Sequence, residues 1–313
     1  MTDPSVPIPV IWNPNAGGKV RGPVGGTSEE SLLALFTDAG ASARIIATQS
    51  ADDATAQTRR LIESGERLIV AAGGDGTIGL VARELLDLDV TLGVIPAGSV
   101  MNIPRMLGVP RDTAEAVRLL ADPATRSEVI DLGEANGELF YEAASVGLHA
   151  AMFNAAHHFD DGRWGSPLRV LWMAFRYRPG RMAIVLDGAN EVRTRALMAV
   201  VANGPYAGPG MTLAPEARLN DGLFDVRVFE HFSKAELLRH LASIMFGRRA
   251  YVPRVSTYRA AEVRVTGRRP LPCRADSIDL GMTPLECRVR ARTLKVLVGP
   301  DFSNGRAEPP HRT

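Results

Sequence analysis

The sequence predicts an α/β N-terminal domain with a doubly wound parallel sheet, followed by a C-terminal antiparallel β-sandwich. In the first third of the chain short apolar runs alternate with helical patterns, and beyond Asp131 strand-like runs are separated by turn residues. Strands alternating with helices of about 10–13 residues are typical of a parallel sheet covered on both faces. A chain of 313 residues also exceeds most single cores, so two domains are expected.

The first domain is predicted to contain four strands and three helices. Ser28 is expected to cap the first helix, because a serine oxygen can accept an N–H group of the first turn. The predicted strands are residues 7–12, 43–48, 67–72 and 91–96, and the predicted helices are residues 28–39, 52–64 and 78–86.

The second domain shows a different pattern. Turn clusters at residues 186–188 and 220–222 separate runs rich in β-branched and apolar residues. Helical pieces are predicted at residues 168–178 and after Ser233, where the spacing to Glu236 matches a capping box. The predicted strands include residues 195–203, 224–229, 261–266 and 285–290.

Composition excludes several classes of protein. An apolar fraction of 45% with 23% charged residues is typical of a globular protein. No apolar run approaches the roughly 18–20 residues that a spanning helix needs, and the start of the chain lacks the pattern of a signal peptide. The expectation is therefore a cytoplasmic protein without a transmembrane segment. The two cysteines match no metal-binding spacing.

Positive charge is concentrated in the second domain. Between His231 and Pro300 there are fourteen Lys or Arg and five Asp or Glu. This balance predicts an anionic partner, such as phosphates or an acidic membrane surface, although a solvated strand face would also explain it. No nucleic-acid-binding motif is present.

The strongest local signal is a Gly-rich turn that follows an apolar strand and opens a helix. Its residues are Gly73, Gly74, Asp75, Gly76 and Thr77. Glycines let backbone N–H groups approach phosphate oxygens, and a helix N-terminus favours negative charge. The Asp75 carboxylate can position a hydroxyl group or a metal-bound water, and the Thr77 hydroxyl can donate to a phosphate. The turn is not a Walker A loop, and a strand–helix turn without a ligand is the structural alternative.

Two further turns are predicted at the carboxyl ends of parallel strands. One contains Gly98 and Ser99 and ends at Asn102, and the other runs from Asn13 to Lys19. Doubly wound sheets bind nucleotides at this edge. Three such turns in register therefore predict a nucleotide site.

These turns resemble the nucleotide-site motifs of the diacylglycerol kinase family, which includes soluble bacterial lipid kinases and the sphingosine and ceramide kinases. The resemblance extends over nearly the whole chain and keeps the same order. The matching residues are Asn13-Pro14 with Gly17, Thr48 after the second strand, Gly73 to Thr77, Gly98-Ser99 with Asn102, Asn203 with Gly208 and Gly210, Ala214 to Val226, and Leu294 to Val298.

The resemblance implies the domain boundaries and the reaction. The nucleotide-binding domain would comprise residues 1–130 with a returning strand at 291–302, and the β-sandwich residues 131–290. Residues 303–313 are polar and Pro-containing, and are expected on that composition to form a flexible tail. A lipid hydroxyl would attack the γ-phosphate of ATP bound with Mg²⁺, and positioning and charge neutralisation would supply most of the rate. The residues implied to bind ATP are Asn13, Lys19, Thr48, Gly73, Gly74, Asp75, Gly76, Thr77, Ser99 and Asn102.

A second, structural metal is also implied by the resemblance, in the loop after Ala214. Its ligands would be the carbonyl oxygens of Arg218 and Leu223 and the carboxylate of Asp221. An all-oxygen set suits Mg²⁺ or Ca²⁺. A simple Asn-Asp-Gly turn without a metal is the alternative.

The chain departs from the family at the residue that receives the hydroxyl proton. The family's Asp-Gly-Glu triplet aligns with Asp276-Ser277-Ile278, and an isoleucine cannot accept a proton. Asp279 follows directly, but on a strand it would face the opposite side unless the turn is bulged. Asp75 and Asp276 are further candidates, since a loose phosphoryl transition state demands little of a base. The predicted catalytic residues are therefore Asp75, Asp276 and Asp279.

Smaller departures are Ser99 in place of Thr and His149 where the family commonly has Asp. We interpret His149 as a structural histidine.

The substrate is expected to be a lipid at an anionic membrane surface, contacted peripherally. Residues 169–181 and 237–254 combine basic and aromatic side chains that could lie on a bilayer, with core packing as the competing interpretation. A homodimer is left open. Two other functions are weighed: a catalytically degenerate lipid- or nucleotide-binding relative, motivated by Ile278, and an NAD kinase, which shares the Gly73 to Thr77 turn but lacks the segment at 214–226.

Overall fold

The computed structural model describes residues 6–16, 28–98, 100–157, 176–208, 211–230 and 255–302, without the side chains of 154–157. The chain divides into two compact units. The first comprises Met1–Asp131 with Ala291–Thr313, and the second comprises Leu132–Arg290. The helical piece predicted after Ser233 lies outside the described residues, as does most of the piece predicted at 168–178.

The first unit contains a parallel sheet. Its strands are β1 (Ile8–Trp12), β2 (Ala43–Ala47), β3 (Leu68–Gly73) and β4 (Thr91–Pro96), in the order β2-β1-β3-β4. The last strand of the chain, β18 (Leu285–Leu297), adds residues 295–296 in parallel beside β4. Nearly every side chain of β1, β3 and β4 is buried, as expected for strands covered on both faces.

Five helices are described in the first unit: α1 (Glu29–Asp38), α2 (Ala51–Glu63), α3 (Asp75–Glu84), α4 (Asn102–Met106) and α5 (Thr113–Ala121). Side chains cap three of them, because Ser28, Ser50 and Asp112 each accept an N–H group of the first turn. The predicted cap at Ser28 is confirmed.

Helix α3 begins at Asp75, so the predicted start at residue 78 is wrong. Gly76 and Gly79 lower the helix propensity of this segment, which hides its first turn from a pattern-based prediction. Tertiary packing overrides propensity here, because Thr77 and Ile78 are buried in the first two turns.

Helices cover the parallel sheet in two groups. Leu32 and Phe36 of α1 and Val117 and Leu120 of α5 share a core cluster with Val10 and its neighbours on β1. Helix α2 contacts β1, α3 contacts β3, and these two helices pack against each other. The doubly wound α/β architecture predicted from the sequence is confirmed.

The second unit contains two antiparallel sheets. The first has the order β14-β13-β10-β7-β16-β17, and its strands are β7 (Ala143–Gly147), β10 (Met198–Ala202), β13 (Phe224–Phe229), β14 (Ser256–Ala260), β16 (Pro272–Ala275) and β17 (Ile278–Met282). In the second, β15 (Glu262–Gly267) lies between β18 and β8 (Gly180–Leu186), and β8 also pairs with β9 (Asn190–Ala196). Shorter or flanking elements are β5 (Ser127–Ala135), β6 (Glu138–Phe140), β11 (Tyr206–Ala207), β12 (Met211–Thr212) and α6 (Leu148–His157).

A single hydrophobic cluster joins the two antiparallel sheets. Val226 and Val228 of β13 pack in it with Val263 and Val265 of β15. Both cysteines belong to this cluster as free thiols. The predicted β-sandwich is confirmed.

Two predicted strand assignments in this region are wrong. Residues 195–203 belong to β9 and β10, which are separated at Leu197. The predicted strand at 285–290 and the returning strand implied at 291–302 belong to one strand, β18, which ends at Leu297 and has a positive φ of 54° at Arg292. In the part of the chain that the structure describes, no helix is long and apolar enough to cross a membrane.

Candidate active site

A pocket of about 570 Å³ lies in the first unit, beyond the carboxyl ends of β1, β3 and β4. Its walls come from the loops after β1, β2 and β4 and from the first turn of α3. This is the edge at which doubly wound sheets bind ligands. Six of the residues predicted to bind ATP line it: Asn13, Thr48, Gly74, Asp75, Gly76 and Thr77.

Two glycine turns meet at the floor of the pocket. A Cβ atom added to Gly98 would lie 2.6 Å from the Cα atom of Gly74, so the turn at Gly98 has no room for a side chain. The Ala97 N–H group donates to the Gly73 carbonyl oxygen at 2.9 Å and fixes the two turns together. Gly74 is the N-cap of α3 and provides no side-chain acceptor. The first N–H groups of this helix are therefore suited to an anionic ligand.

Asp75 joins the N-termini of two helices. Its Oδ2 atom accepts the Asn102 N–H group at 3.0 Å, and its Oδ1 atom accepts the Ile103 N–H group at 2.9 Å. These bonds fix the carboxylate in one orientation while it lines the pocket. Asn102 itself is fully buried and acts on the site through this backbone contact.

The hydroxyl and amide groups of the pocket are ordered by one another. The Asn13 Nδ2 atom donates to the Thr77 Oγ1 atom at 3.1 Å, which leaves the Thr77 O–H group able to donate to a ligand. Thr48 is buried and its hydroxyl donates to the Trp12 carbonyl oxygen at 3.1 Å. Lys19 and Ser99, which were also predicted to bind ATP, lie outside the described residues.

Charge in the pocket is sparse. Among the described residues that line it, Asp75 carries the only charge. A triphosphate would add several negative charges beside this carboxylate, so it requires a cation. Mg²⁺ fits this requirement, because it is usually held by one or two carboxylates together with phosphate oxygens.

The tip of the β16–β17 hairpin in the second unit holds Asp276. This residue has a positive φ of 43°. Its carboxylate accepts three backbone N–H groups, from Tyr141 at 2.7 Å, Glu142 at 3.1 Å and Ala143 at 3.0 Å. Three backbone donors thus occupy lone pairs of this carboxylate, which favours a structural role.

Ile278 and Asp279 lie on opposite faces of β17. Ile278 pairs with Ala275, which belongs to the core, whereas Asp279 pairs with Arg274. The irregular register of this hairpin lies between Pro272 and Arg274, on the far side of Asp279 from the turn. Asp279 is exposed, and its Oδ1 atom accepts the Gly281 N–H group at 2.8 Å.

His149 is half-buried at the start of α6, with its Nε2 atom enclosed. Its Nδ1 atom lies 2.9 Å from the Ser145 Oγ atom, and its ring contacts that of Phe153. Burial, with a smaller effect of the Arg274 charge, lowers the pKa of His149 to about 4. The imidazole is therefore neutral near pH 7, in line with the structural interpretation of this histidine.

The loop predicted to bind a second metal places Asp221 beside a guanidinium group. The Asp221 Oδ2 atom forms an ion pair with Arg259 Nη2, and its Oδ1 atom accepts the Leu223 N–H group at 3.2 Å. Both carboxylate oxygens therefore have protein partners.

Two residues that support the hairpin tip were not predicted. Arg274 donates to the carbonyl oxygens of Asp276 at 2.7 Å and Ser277 at 2.8 Å. Glu142 is buried and its Oε2 atom accepts the Gly208 N–H group at 3.0 Å. No local sequence motif predicts the role of either residue. The Glu142 contact spans 66 positions, and the Arg274 contacts depend on a hairpin that was not predicted.

Two family profiles together match most of the chain. Residues 7–135 match the diacylglycerol kinase catalytic domain, and residues 144–298 match the YegS C-terminal NAD kinase beta sandwich-like domain. A diacylglycerol kinase of Bacillus subtilis is 29% identical over 283 residues, which cover 88% of this chain and 91% of that protein. A diacylglycerol kinase of Mycobacterium tuberculosis is 30% identical over 223 residues, which cover 69% of this chain and 72% of that protein.

Solved structures show the same fold. A diacylglycerol kinase from Bacillus anthracis superposes with a TM-score of 0.69 at 20% identity, covering 95% of this chain and 98% of that one. An NAD kinase from Archaeoglobus fulgidus in complex with ATP gives a TM-score of 0.50 at 14% identity, covering 96% of this chain and 100% of that one.

Proposed function

The chain belongs to the diacylglycerol kinase family, and from this membership we propose that it transfers the γ-phosphoryl group of ATP, with Mg²⁺, to the hydroxyl group of a diacylglycerol-like lipid. Its relatives are lipid kinases, so the chain is a kinase that phosphorylates an alcohol. The nucleotide, the metal and the class of lipid are the proposed parts.

The pocket of the first unit is the observation that carries the proposal. The meeting of Gly74 and Gly98 leaves backbone instead of side chains at its floor, which suits phosphate oxygens. The uncapped start of α3 supplies N–H donors on the same side. When bound there, Mg²⁺ would neutralise phosphate charge and align the γ-phosphate for in-line attack.

We assign Asp75 to hold the metal or its water, since its carboxylate is fixed at the pocket by two backbone N–H groups. The Thr77 O–H group, ordered by Asn13, would donate to a phosphate. Thr48 and Gly76 would form the wall beside the nucleotide. Gly73, Asn102, Lys19 and Ser99 complete the proposed nucleotide set, the last two on the family resemblance alone.

Asp276 and Asp279 both stay candidates for the proton acceptor, although Asp279 lies on the face of β17 opposite to Ile278 and no register shift separates these two residues. The Asp276 carboxylate accepts three backbone N–H groups, whereas the exposed Asp279 carboxylate accepts one. More lone pairs of the Asp279 carboxylate are therefore left without a backbone donor. Asp75 remains a candidate as well, because proton removal can be late in a loose transition state.

The protein would bind its lipid substrate at an anionic membrane surface. Arginines are abundant on the β8–β9 face of the second unit, where Arg181, Arg195 and Arg268 line a shallow surface depression. Cationic side chains near a bilayer of acidic lipids favour peripheral binding. A homodimer stays a prediction that no contact in the structure addresses.

An acceptor panel tests this function. The wild-type chain is incubated with Mg²⁺ and γ-labelled ATP together with diacylglycerol, a sphingoid base, ceramide or NAD, each lipid presented in mixed micelles. We expect label in diacylglycerol or a related glycerolipid. Label in NAD alone would assign the chain to NAD kinase chemistry and refute the proposal.

A further inference from the structure

Asp225 and Arg259 are direct cross-strand partners in the second unit. Asp225 lies on β13 and Arg259 on β14, with their Cα atoms in register. Their side chains therefore extend from the same face of the sheet. The loop that the family resemblance assigns to a structural metal ends at Leu223, directly before β13. Arg259 is thus placed beside this loop by the register of the sheet.

The Arg259 guanidinium lies between two carboxylates. Its Nη2 atom forms the ion pair with Asp221 Oδ2, and its Nε atom is 3.9 Å from Asp225 Oδ2. The other Asp221 oxygen accepts the Leu223 N–H group at 3.2 Å. One cation of the chain itself therefore contacts the predicted metal-binding carboxylate and its neighbour on the strand.

Burial makes a positive charge necessary at this point. Asp225 is only 5% exposed, and the Arg259 Nε atom lies 3.9 Å from its Oδ2 atom. A buried carboxylate that loses its cation is strongly unfavourable. A divalent ion bound through Asp221 would have to displace the guanidinium or share this carboxylate with it.

We propose that Arg259 supplies the positive charge that the family resemblance assigns to a structural metal, and that the loop at 214–223 is ordered without a divalent cation. This inference concerns the second unit alone and does not depend on the proposed kinase activity.

The first test measures metal dependence in the wild-type chain without nucleotide. Hydrogen exchange of the peptide covering 214–223 and the melting temperature are compared in EDTA, in Mg²⁺ and in Ca²⁺. We expect equal protection of this peptide and melting temperatures within about 1 °C. Faster exchange in this peptide after EDTA treatment, reversed by Mg²⁺ or Ca²⁺, would overturn the proposal.

The second test removes the guanidinium. Arg259→Gln is expected to lower the melting temperature by roughly 5 °C, since it removes the guanidinium beside Asp221 and the buried Asp225, and to increase exchange at 214–223. The matched control is Arg264→Gln on β15, which breaks an exposed ion pair of 3.3 Å with Glu286 on β18 and should shift the melting temperature by less than about 1 °C.

Equal effects of Arg259→Gln and Arg264→Gln would contradict the proposal. If Arg259→Gln does not fold, Arg259→Lys keeps one charge and is expected to fold with a smaller loss. If Arg259→Lys and Arg259→Gln are both as stable as the wild-type chain, a role for this cation is also refuted.

Discussion

Asp75 shows how one side chain can serve the fold and the site together. Each of its oxygens accepts a backbone N–H group from the start of α4, and the same carboxylate is the one charge among the described walls of the pocket. The two hydrogen bonds leave lone pairs on both oxygens, which is enough for a metal or a metal-bound water. A neutral replacement would therefore affect both the α3–α4 connection and the phosphate site.

His149 makes stability depend on pH. Its pKa is about 4 in the folded chain, against about 6.5 in the unfolded chain. The unfolded chain therefore binds a proton at His149 more tightly than the folded chain does. The free energy of unfolding that neutral His149 contributes is fully present above about pH 6.5 and is lost as the pH falls toward 4. Between pH 7 and pH 5 the loss should be about 2 kcal/mol.

The measurement is urea unfolding of the wild-type chain and of His149→Gln at both pH values. We expect the stability difference between them to shrink by about this amount at pH 5. A difference independent of pH would show that His149 is not buried in its neutral form.

Residues in short motifs were predictable, and residues with distant partners were not. Asp75 and Thr77 follow from a five-residue turn, whose backbone requirements limit the residue types it accepts. Arg274 and Glu142 support the second unit through contacts that exist only once the strands are paired. A single sequence carries no signal for such pairings.

At the scale of elements, the two glycine turns should respond oppositely to the same added methyl group. Gly98→Ala places a Cβ atom 2.6 Å from the Gly74 Cα atom, a backbone contact that cannot move aside easily. We expect a loss of about 1–3 kcal/mol in the free energy of unfolding and weaker ATP binding.

Gly76→Ala is the matched control, since nothing lies within 4 Å of its added Cβ atom in α3. It should leave stability unchanged or raise it by up to about 1 kcal/mol, because alanine favours a helix. Thermal unfolding of both variants and calorimetry with ATP measure these effects. Equal stability of the two variants would mean that the turns do not touch.

The β16–β17 hairpin allows a second matched comparison. Asp276→Asn replaces one acceptor oxygen by a donor among three N–H groups, and should cost about 2–3 kcal/mol of stability. Asp279→Asn alters an exposed side chain and should change stability by less than about 0.5 kcal/mol, while reducing phosphate transfer by roughly 100-fold if Asp279 accepts the proton.

Unfolding curves and initial rates of transfer distinguish the two aspartates. Full activity of Asp279→Asn would exclude this residue as the base. An Asp276→Asn chain as stable as wild type would remove the structural role assigned to Asp276.

Elements that follow the hydrophobic period were predictable, and interrupted ones were not. Strands β1 and β4 appear as uninterrupted apolar runs because both faces are buried. Gly76 interrupts the helical pattern at the start of α3, so this start was not predicted. The separation of β9 from β10 at Leu197 was not predicted because the apolar run continues through it. Strand β18 carries a positive φ at Arg292, which a pattern of residue types does not reveal.

At the scale of the whole molecule, the chain leaves its first unit and returns to it. Strand β18 pairs with β15 through residues 285–288 and with β4 through residues 295–296. The residue pattern changes near Asp131 from strands alternating with helices to strands separated by turns, and this change predicted two domains. The return of strand β18 to the first unit was predicted only from the family resemblance. Discontinuous units of this kind leave no mark in composition or periodicity.

The central claim is that the chain is an active lipid kinase although Ile278 occupies the position of the family's proton acceptor. The most direct measurement is the rate of label transfer from γ-labelled ATP to diacylglycerol by the wild-type chain, with Mg²⁺ or with EDTA, beside Asp75→Asn. We predict transfer that requires Mg²⁺ and falls at least roughly 100-fold in Asp75→Asn. Measurable ATP binding without transfer to any lipid would contradict the claim and indicate a binding protein that has lost its catalytic base.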